Sequence, residues 1–308
     1  MKKSSFSLII AALLVAHVSV AQQSNSIFTP PSLIEAPRAQ FPSTEARRRQ
    51  EGWVGLSFEI SPEGEIRSPV VVESSGSVSF HAAAIRALNA SKWAPAQENG
   101  KAVEGSGSIM YRFVIDDIPA EVRLSFKSNY ELLASAIATG EREQATELMV
   151  SLENSSRTNN FEAALLDLMH YNFLTEFGGS DEEKMAYLSR ALAYESYSVN
   201  VGGEEGFLAP ELVVTARQNI FMLQVNTRRY AEAIRTYERL QNANVDVTTF
   251  ANTIAKIRAL QNDDTTYAVK GKTNNYGYWQ LTLLKPGVYI DSPSNAIEQV
   301  RFQCQNKS

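Results

Sequence analysis

Between Trp53 and Ile60 the apolar residues Val54, Leu56, Phe58 and Ile60 alternate with Gly55, Ser57 and Glu59, a period of two that predicts a half-buried strand. Ser61-Pro62-Glu63-Gly64 then supplies the backbone angles of a reversal. A second run, Glu65 to Ser74, carries Ile66, Val70, Val71 and Val72 and ends in Ser74-Ser75-Gly76. It lies close enough to the first to pair with it as an antiparallel hairpin. From Phe80 the rhythm changes: Phe80, Ala84, Ala87 and Leu88 stand at helical spacing, and Trp93 followed by Pro95 closes that helix. After an Asn99-Gly100 turn and a Gly/Ser-rich stretch, Ile109, Tyr111, Phe113 and Ile115 alternate again. The order is β-β-α-β from about 40 to 115, three strands covering one face with one helix, the last strand left as a sheet edge.

Past Asp116-Asp117-Ile118-Pro119 the period lengthens and helices are expected over 121–138, 141–154, 160–177, 181–195, 211–226, 229–242 and 247–261. Asp181-Glu182-Glu183 places carboxylates where a helix begins, at the positive end of its dipole. Beyond 262 short strands return at Tyr267 to Lys272, Tyr276 to Leu284, Gly287 to Ile290 and Ile297 to Cys304, with turns at Lys285-Pro286-Gly287 and Asp291-Ser292-Pro293-Ser294. About forty residues make a small sheet but hardly an independent core, so this piece is expected to pack on the helices. Tyr276, Tyr278, Trp279 and Tyr289 fill a small core or form an aromatic binding patch.

Several short motifs lie in order between Pro37 and Ile115: Phe41-Pro42, Glu51-Gly52-Trp53-Val54, Val72-Glu73-Ser74-Ser75-Gly76, Phe80 through Leu88, Trp93-Ala94-Pro95-Ala96, Asn99-Gly100-Lys101 and Phe113. Each alone is weak, and context gives them weight. At these spacings they resemble the carboxy-terminal domain of TonB, although the family usually has Tyr-Pro where this chain has Phe41-Pro42. That resemblance implies a domain that captures an extended segment of an outer-membrane transporter, the TonB box, by adding it as a strand to the sheet edge. Transferred to this sequence, the edge is Ser108, Ile109, Met110, Tyr111, Arg112, Phe113, Val114 and Ile115. Farther on, Tyr230-Ala231-Glu232-Ala233-Ile234-Arg235-Thr236-Tyr237-Glu238 resembles the second helix of a tetratricopeptide repeat, with Ala233 small where helices cross. A solenoid of such repeats holds protein segments on its concave face; a plain antiparallel bundle is the alternative. The fold class is thus α+β multidomain: a TonB C-terminal-like domain at 37–117, a tetratricopeptide-like helical domain at 118–262 and a small β subdomain at 263–308.

Lys2-Lys3, the apolar stretch Phe6 to Val20 and Ser19-Val20-Ala21 have the parts of a secretory signal, so residues 1–21 are expected to be cleaved and the protein to be periplasmic. As a helix the stretch is about 22 Å long, short of a hydrocarbon core of about 30 Å. The alternative is an inner-membrane anchor over residues 6–20, in which His17 would serve as the coupling histidine that TonB-like transducers present to motor proteins. Residues 22–36 are expected as linker. The long proline-rich spacer of TonB is missing: Phe28 to Pro42, extended at about 3.1 Å per residue, reaches only about 45 Å. Energy coupling is therefore in doubt where partner binding is not.

The 308 residues carry 29 basic and 34 acidic side chains, a net charge of −5 that does not invite nucleic acid. Cys304 is the single cysteine, a half-buried strand residue or a free thiol that links to another molecule, and no internal disulfide is available. His81 and His170 lack a local metal-ligand partner, and neither a Gly-x-Ser-x-Gly elbow nor a phosphate loop is present. His81 is expected near an exposed helix start and His170 in a core or groove. A binding protein without cofactor or metal is the reading. Its partner is an outer-membrane TonB-dependent receptor or another envelope protein; motor proteins join if the amino-terminal helix stays. A self-associating envelope scaffold is the alternative, and a catalytic helical region would need His170 joined to acidic side chains.

Overall fold

The computed structural model describes residues 28–115, 122–155, 160–193 and 208–271, with 273, 279 and 281–285. The expected signal, Tyr276, Tyr278, Tyr289 and Cys304 lie outside them. In chain order the strands are β1 (Phe28–Thr29), β2 (Ser32–Glu35), β3 (Gly52–Ile60), β4 (Ile66–Ser74), β5 (Lys92–Ala94), β6 (Ala96–Glu98), β7 (Lys101–Val103) and β8 (Gly105–Phe113). The helices are α1 (Ser43–Arg47), α2 (Val78–Asn89), α3 (Leu124–Ala138), α4 (Arg142–Ser155), α5 (Asn160–Phe177), α6 (Asp181–Ala191), α7 (Pro210–Asn226), α8 (Tyr230–Asn242) and α9 (Ala251–Asn262), the last entered through a short 3₁₀ turn at Thr248–Phe250. The main sheet has the order β4-β3-β8, all antiparallel, with Leu56 opposite Ile109 and Ile60 opposite Ile66.

The expected hairpin forms. Ser61 N–H donates to Glu65 O and Gly64 N–H to Ser61 O, both at 2.9 Å, and the Ser61 hydroxyl oxygen accepts from Glu63 N–H at 3.2 Å. The Asn99-Gly100 turn joins β6 to β7 with φ of 53° and 79°, the pair of positive values that a type I′ hairpin turn requires. Val54, Leu56, Phe58 and Ile60 share one core with Phe80, Ala84 and Leu88 of α2 and with Ile109, Tyr111 and Phe113 of β8. At about 1.5–3 kcal/mol for each large side chain removed from water, that layer holds α2 on the sheet. The helix begins two residues before Phe80 and stops at Asn89. Trp93, expected to close it, instead pairs with Leu33 between β5 and β2 and packs edge-on to Phe58 with ring centroids 5.0 Å apart.

Two expectations need correction. Of the stretch expected as linker, residues 28–35 are laid against the sheet module, β1 pairing with β6 and β2 with β5, while 22–27 lie outside the described residues; just beyond it Phe41 packs edge-on to Phe80 and Phe113 at 5.7 and 5.8 Å. Residues 28–35 are therefore not a free spacer. Nor is β3 half-buried, since both of its faces are covered. Trp53, Gly55 and Ser57 are buried along with the apolar set, and Trp53, 2% exposed, joins Ala164, Leu188, Leu192 and Ile220 of the helical region, with Met110 against the same cluster. Gly55 and Ser57 are small enough to let helices approach, so the polar half of the alternation is a docking face.

The helices match expectation within a few residues. α6 starts with a reciprocal capping box, Glu183 N–H to Ser180 Oγ at 3.2 Å and Ser180 N–H to Glu183 Oε2 at 3.0 Å. Successive helices share successive cores: α3, α4 and α5 one, α5, α6 and α7 the next, α7, α8 and α9 the third. Ala233, Ile234 and Tyr237 are buried in this last core. Of the expected carboxy-terminal strands, 263–271, 273, 279 and 281–285 carry none, and the remainder lies outside the described residues. Here side chains take the place of a ladder: Leu284 is buried beside Ile234, Thr282 N–H donates to Glu232 Oε1 at 3.1 Å and Lys285 Nζ holds Asp263 at 2.7 Å.

Because Trp53 fills the space between sheet and helices, Trp53→Ala is expected to lower stability by about 3–5 kcal/mol in urea unfolding. Gly107→Ala, whose Cβ would stand 2.7 Å from the Phe58 ring, should destabilise by about 1–3 kcal/mol through overpacking.

Candidate partner-binding edge

β8 is the outer strand of the main sheet and pairs on one side with β3. Among the described residues no strand pairs with its other side. Ser108 is exposed, Ile109, Tyr111 and Phe113 point into the core shared with α2, and Met110 and Arg112 are half-buried on the opposite face. Phe113 stacks on Phe80 at 4.3 Å. Burial pushes the Tyr111 phenol up to about 12, so it remains a neutral hydroxyl at any physiological pH.

Val114 and Ile115 do not extend the strand, which ends at Phe113. The reason is a carboxylate: Glu51, 7% exposed, accepts Ile115 N–H at Oε1 and Asn160 N–H at Oε2, both at 3.0 Å. The Ile115 donor is thereby used up, and the edge that can offer a ladder shortens to Ser108–Phe113. Burial raises the Glu51 pKa even though both N–H bonds favour the charged form. Asn160 is the first residue of α5, so Glu51 also satisfies one of the amides that a helix start leaves open. In the same first turn Glu162, fully buried, receives Arg123 N–H at 2.8 Å and the Arg123 guanidinium Nε at 3.0 Å. The exit of β8 and the entry to α3 are thus both tied to the beginning of α5.

The other border, β4, is different. Its pairing with β3 has two register shifts, it contains Pro69, and Ser68 has φ of 49°. Bulges and proline blunt an edge against foreign strands. Nothing comparable interrupts the β3–β8 register from Gly105 to Phe113.

The histidines lie away from this edge. His81 Nε2 is 2.6 Å from Ser74 Oγ and burial lowers its pKa. The helix start there is exposed at Val78 and Ser79, and His81 itself is half-buried. His170 stacks on Tyr187 at 4.3 Å and meets Glu153 at 3.1 Å. Burial, with Arg190 nearby, brings its pKa down to about 4, so it is neutral at pH 7. Among the described residues no group of three His, Cys, Asp or Glu side chains is placed to hold a metal ion, and no helix is long and apolar enough to cross a membrane. Sequence reasoning missed Glu51 and Glu162. Both sat in view, but their partners are far along the chain, and no local signal marks a cap supplied by another element.

The main sheet has three antiparallel strands with one helix packed on a face, and among the described residues its last strand has one border without a paired strand, the geometry that β-addition requires. Residues 37–115 match the family described as Gram-negative bacterial TonB protein C-terminal, and the resemblance read from the motifs is borne out over that quarter of the chain. A solution NMR structure of the Pseudomonas aeruginosa TonB CTD is similar at 24% identity, covering 29% of this chain and 91% of that chain with a TM-score of 0.26. No curated protein matches the chain.

Glu51→Ala would leave two amide donors without their acceptor, at about 1–3 kcal/mol for a buried one. The expected result is a loss of that order in urea unfolding, with faster amide exchange at Ile115 and Asn160. Glu51→Gln, which keeps one carbonyl acceptor, should lose less.

Proposed function

We propose that this chain is a periplasmic binding protein of the cell envelope whose TonB C-terminal-like module takes an extended segment of an outer-membrane partner as a fourth strand beside β8, as part of TonB-dependent transport. One observation carries the reading: β8 offers an uninterrupted ladder at the sheet border, whereas β4 is guarded by Pro69 and its bulges. Main-chain hydrogen bonds would supply affinity, and side chains alternating between the α2 side and the helical side would supply specificity. The match to the TonB C-terminal family supports the type of partner, a TonB-dependent receptor, and agrees with a role in binding rather than catalysis. The signal-like leader supports export. The helical region, whose cores are each shared by neighbouring helices, supports a tetratricopeptide-like stack that holds a second protein.

Proline at Ser108 and proline at Tyr111 test the edge. N–H groups of successive strand residues point to opposite sides, so one of the two substitutions spares the β3 ladder and removes an outward donor. Among variants that keep the parent's circular dichroism, the proline on the outward side should weaken binding of TonB-box peptides by about tenfold or more, as expected for a lost charge-free hydrogen bond plus a steric block. Lys101→Ala should change it less than twofold. Folded proline variants that bind like the parent would remove the site. Self-association without peptide capture would favour the scaffold.

A further inference from the structure

The surroundings of the open edge are set by chain that lies outside the main sheet. On the face that α2 covers, α2 packs against β3 and β4, and residues 31–41 follow β8 from its first residue to its last. Pro31 lies against Gly105, where a Cβ would stand 2.7 Å from Pro31 Cγ. Leu33, Ala36 and Ala39 pack onto the shared core, and Phe41 reaches Phe113 at the far end. The chain then makes the short α1 and turns back. Gln50 N–H donates to Glu45 O at 2.9 Å and Arg49 N–H to Ala46 O at 3.0 Å, the two bonds of a Schellman stop, with Arg49 at φ of 50°. Gly52 pairs with Phe113, so residues 41–52 form a loop closed at both ends on the last residue of β8.

This end of the edge sorts its charges by sign. Between 36 and 52 the charged side chains are Arg38, Arg47, Arg48 and Arg49, all exposed, and Glu45 and Glu51, both buried. The glutamates are occupied: Glu45 Oε1 accepts the Ser77 hydroxyl at 2.8 Å, and Glu51 holds the amides of Ile115 and Asn160. Among the described residues no ion pair or hydrogen bond engages the side chain of Arg47 or Arg48. The Gly105 end differs. There Glu35 is paired with Lys92 at 2.7 Å, and Lys101 and Glu104 expose both signs. The edge is basic at one end and balanced at the other, in a chain whose net charge is −5.

We propose that the segment added beside β8 carries acidic residues on the flank next to Phe113, and that the arginines of the α1 loop recognise them and so fix which way round the segment is laid; this rests on the β8 edge being the docking border. Main-chain bonds alone accept a strand in either direction and hold many sequences alike. Charge at one end breaks that symmetry, because the wrong orientation carries the carboxylates away from the arginines. Guanidinium groups suit the task, since their N–H groups match both oxygens of a carboxylate. A guest strand lies about 4.8 Å from β8, and one that continues past Phe113 runs beside the loop.

The test uses the full chain and three peptides built on one uncharged TonB-box core: the core alone, the core preceded by aspartates, and the core followed by aspartates. Titration calorimetry gives the affinities. One acidic peptide should bind about fivefold tighter than the core alone, as expected for a few exposed charge contacts, and the other should not. That advantage should vanish in about 1 M salt, where the screening length is about 3 Å. It should also vanish in the double variant Arg47→Gln/Arg48→Gln, which keeps the length of side chains that hold nothing within the fold and leaves Arg49 to stop α1. The core alone should bind parent and double variant equally.

Two acidic peptides of equal affinity in the parent, a comparison that needs no variant, would overturn the proposal while leaving the edge in place. So would an advantage that survives the double variant. Binding of the parent to phosphatidylglycerol vesicles, lost in the double variant and without any preference between the peptides, would assign the arginines to a lipid surface instead. Failure of the parent to bind any of the three peptides would remove the edge itself and the proposal with it.

Discussion

The central strand β3 has water on neither side, and the rest of the molecule is arranged around that constraint. One face is sealed by α2 through Val54, Leu56, Phe58 and Ile60, the other by the helical region through Trp53. A strand buried twice needs a cover on each face. The second cover here is several helices long and comes from sequence more than a hundred residues away. Glu51, one residue before β3, fixes where that cover begins by binding the first amide of α5. The sheet module and the helical region are consequently a packed pair, not beads on a string.

That packing leaves the lateral borders as the sheet's exposed main chain, and they are unequal. β4 carries a proline, a residue with positive φ and two register shifts. β8 runs in unbroken register until Glu51 takes the Ile115 amide and ends it. The same carboxylate therefore limits the length of the open edge and ties it to the helices. An added strand would sit between two walls, the aromatic group of Phe41, Phe80 and Phe113 on one side and the helical region below Met110 on the other.

Charge is placed inside the joint where a fully apolar contact would be simpler. Buried ionic groups are weak sources of stability, and their consequence here is geometric. Glu51 accepts Ile115 N–H from the end of β8 and Asn160 N–H from the start of α5, a link that apolar packing through Trp53 alone would leave free to slide, while Glu162 with Arg123 and Asp167 with Arg190 lock neighbours within the helical region. Glu51 thus fixes where α5 begins relative to the end of β8.

Local pattern was enough for the elements. The period of two over 53–60, the Asn99-Gly100 turn and the helical spacing of 160–177 each describe backbone that neighbouring residues impose on themselves, and they appear in the structure nearly where periodicity puts them. The edge strand was legible too, because its alternation and its place last in β-β-α-β are properties of a short stretch. Its last two residues were not. Alternation continues through Ile115, and only a side chain 64 residues away ends the ladder there. Gly55, Ser57 and Glu59 read as the polar side of a half-buried strand for the same reason, yet Gly55 and Ser57 are buried: sequence records which residues alternate, but not whether a distant surface arrives to cover them. Residue order thus determined strands, helices, turns and the type of module. Tertiary structure decided which faces meet water, where the open border stops and which carboxylates are taken out of it, since burial depends on neighbours that are near in space and remote along the chain.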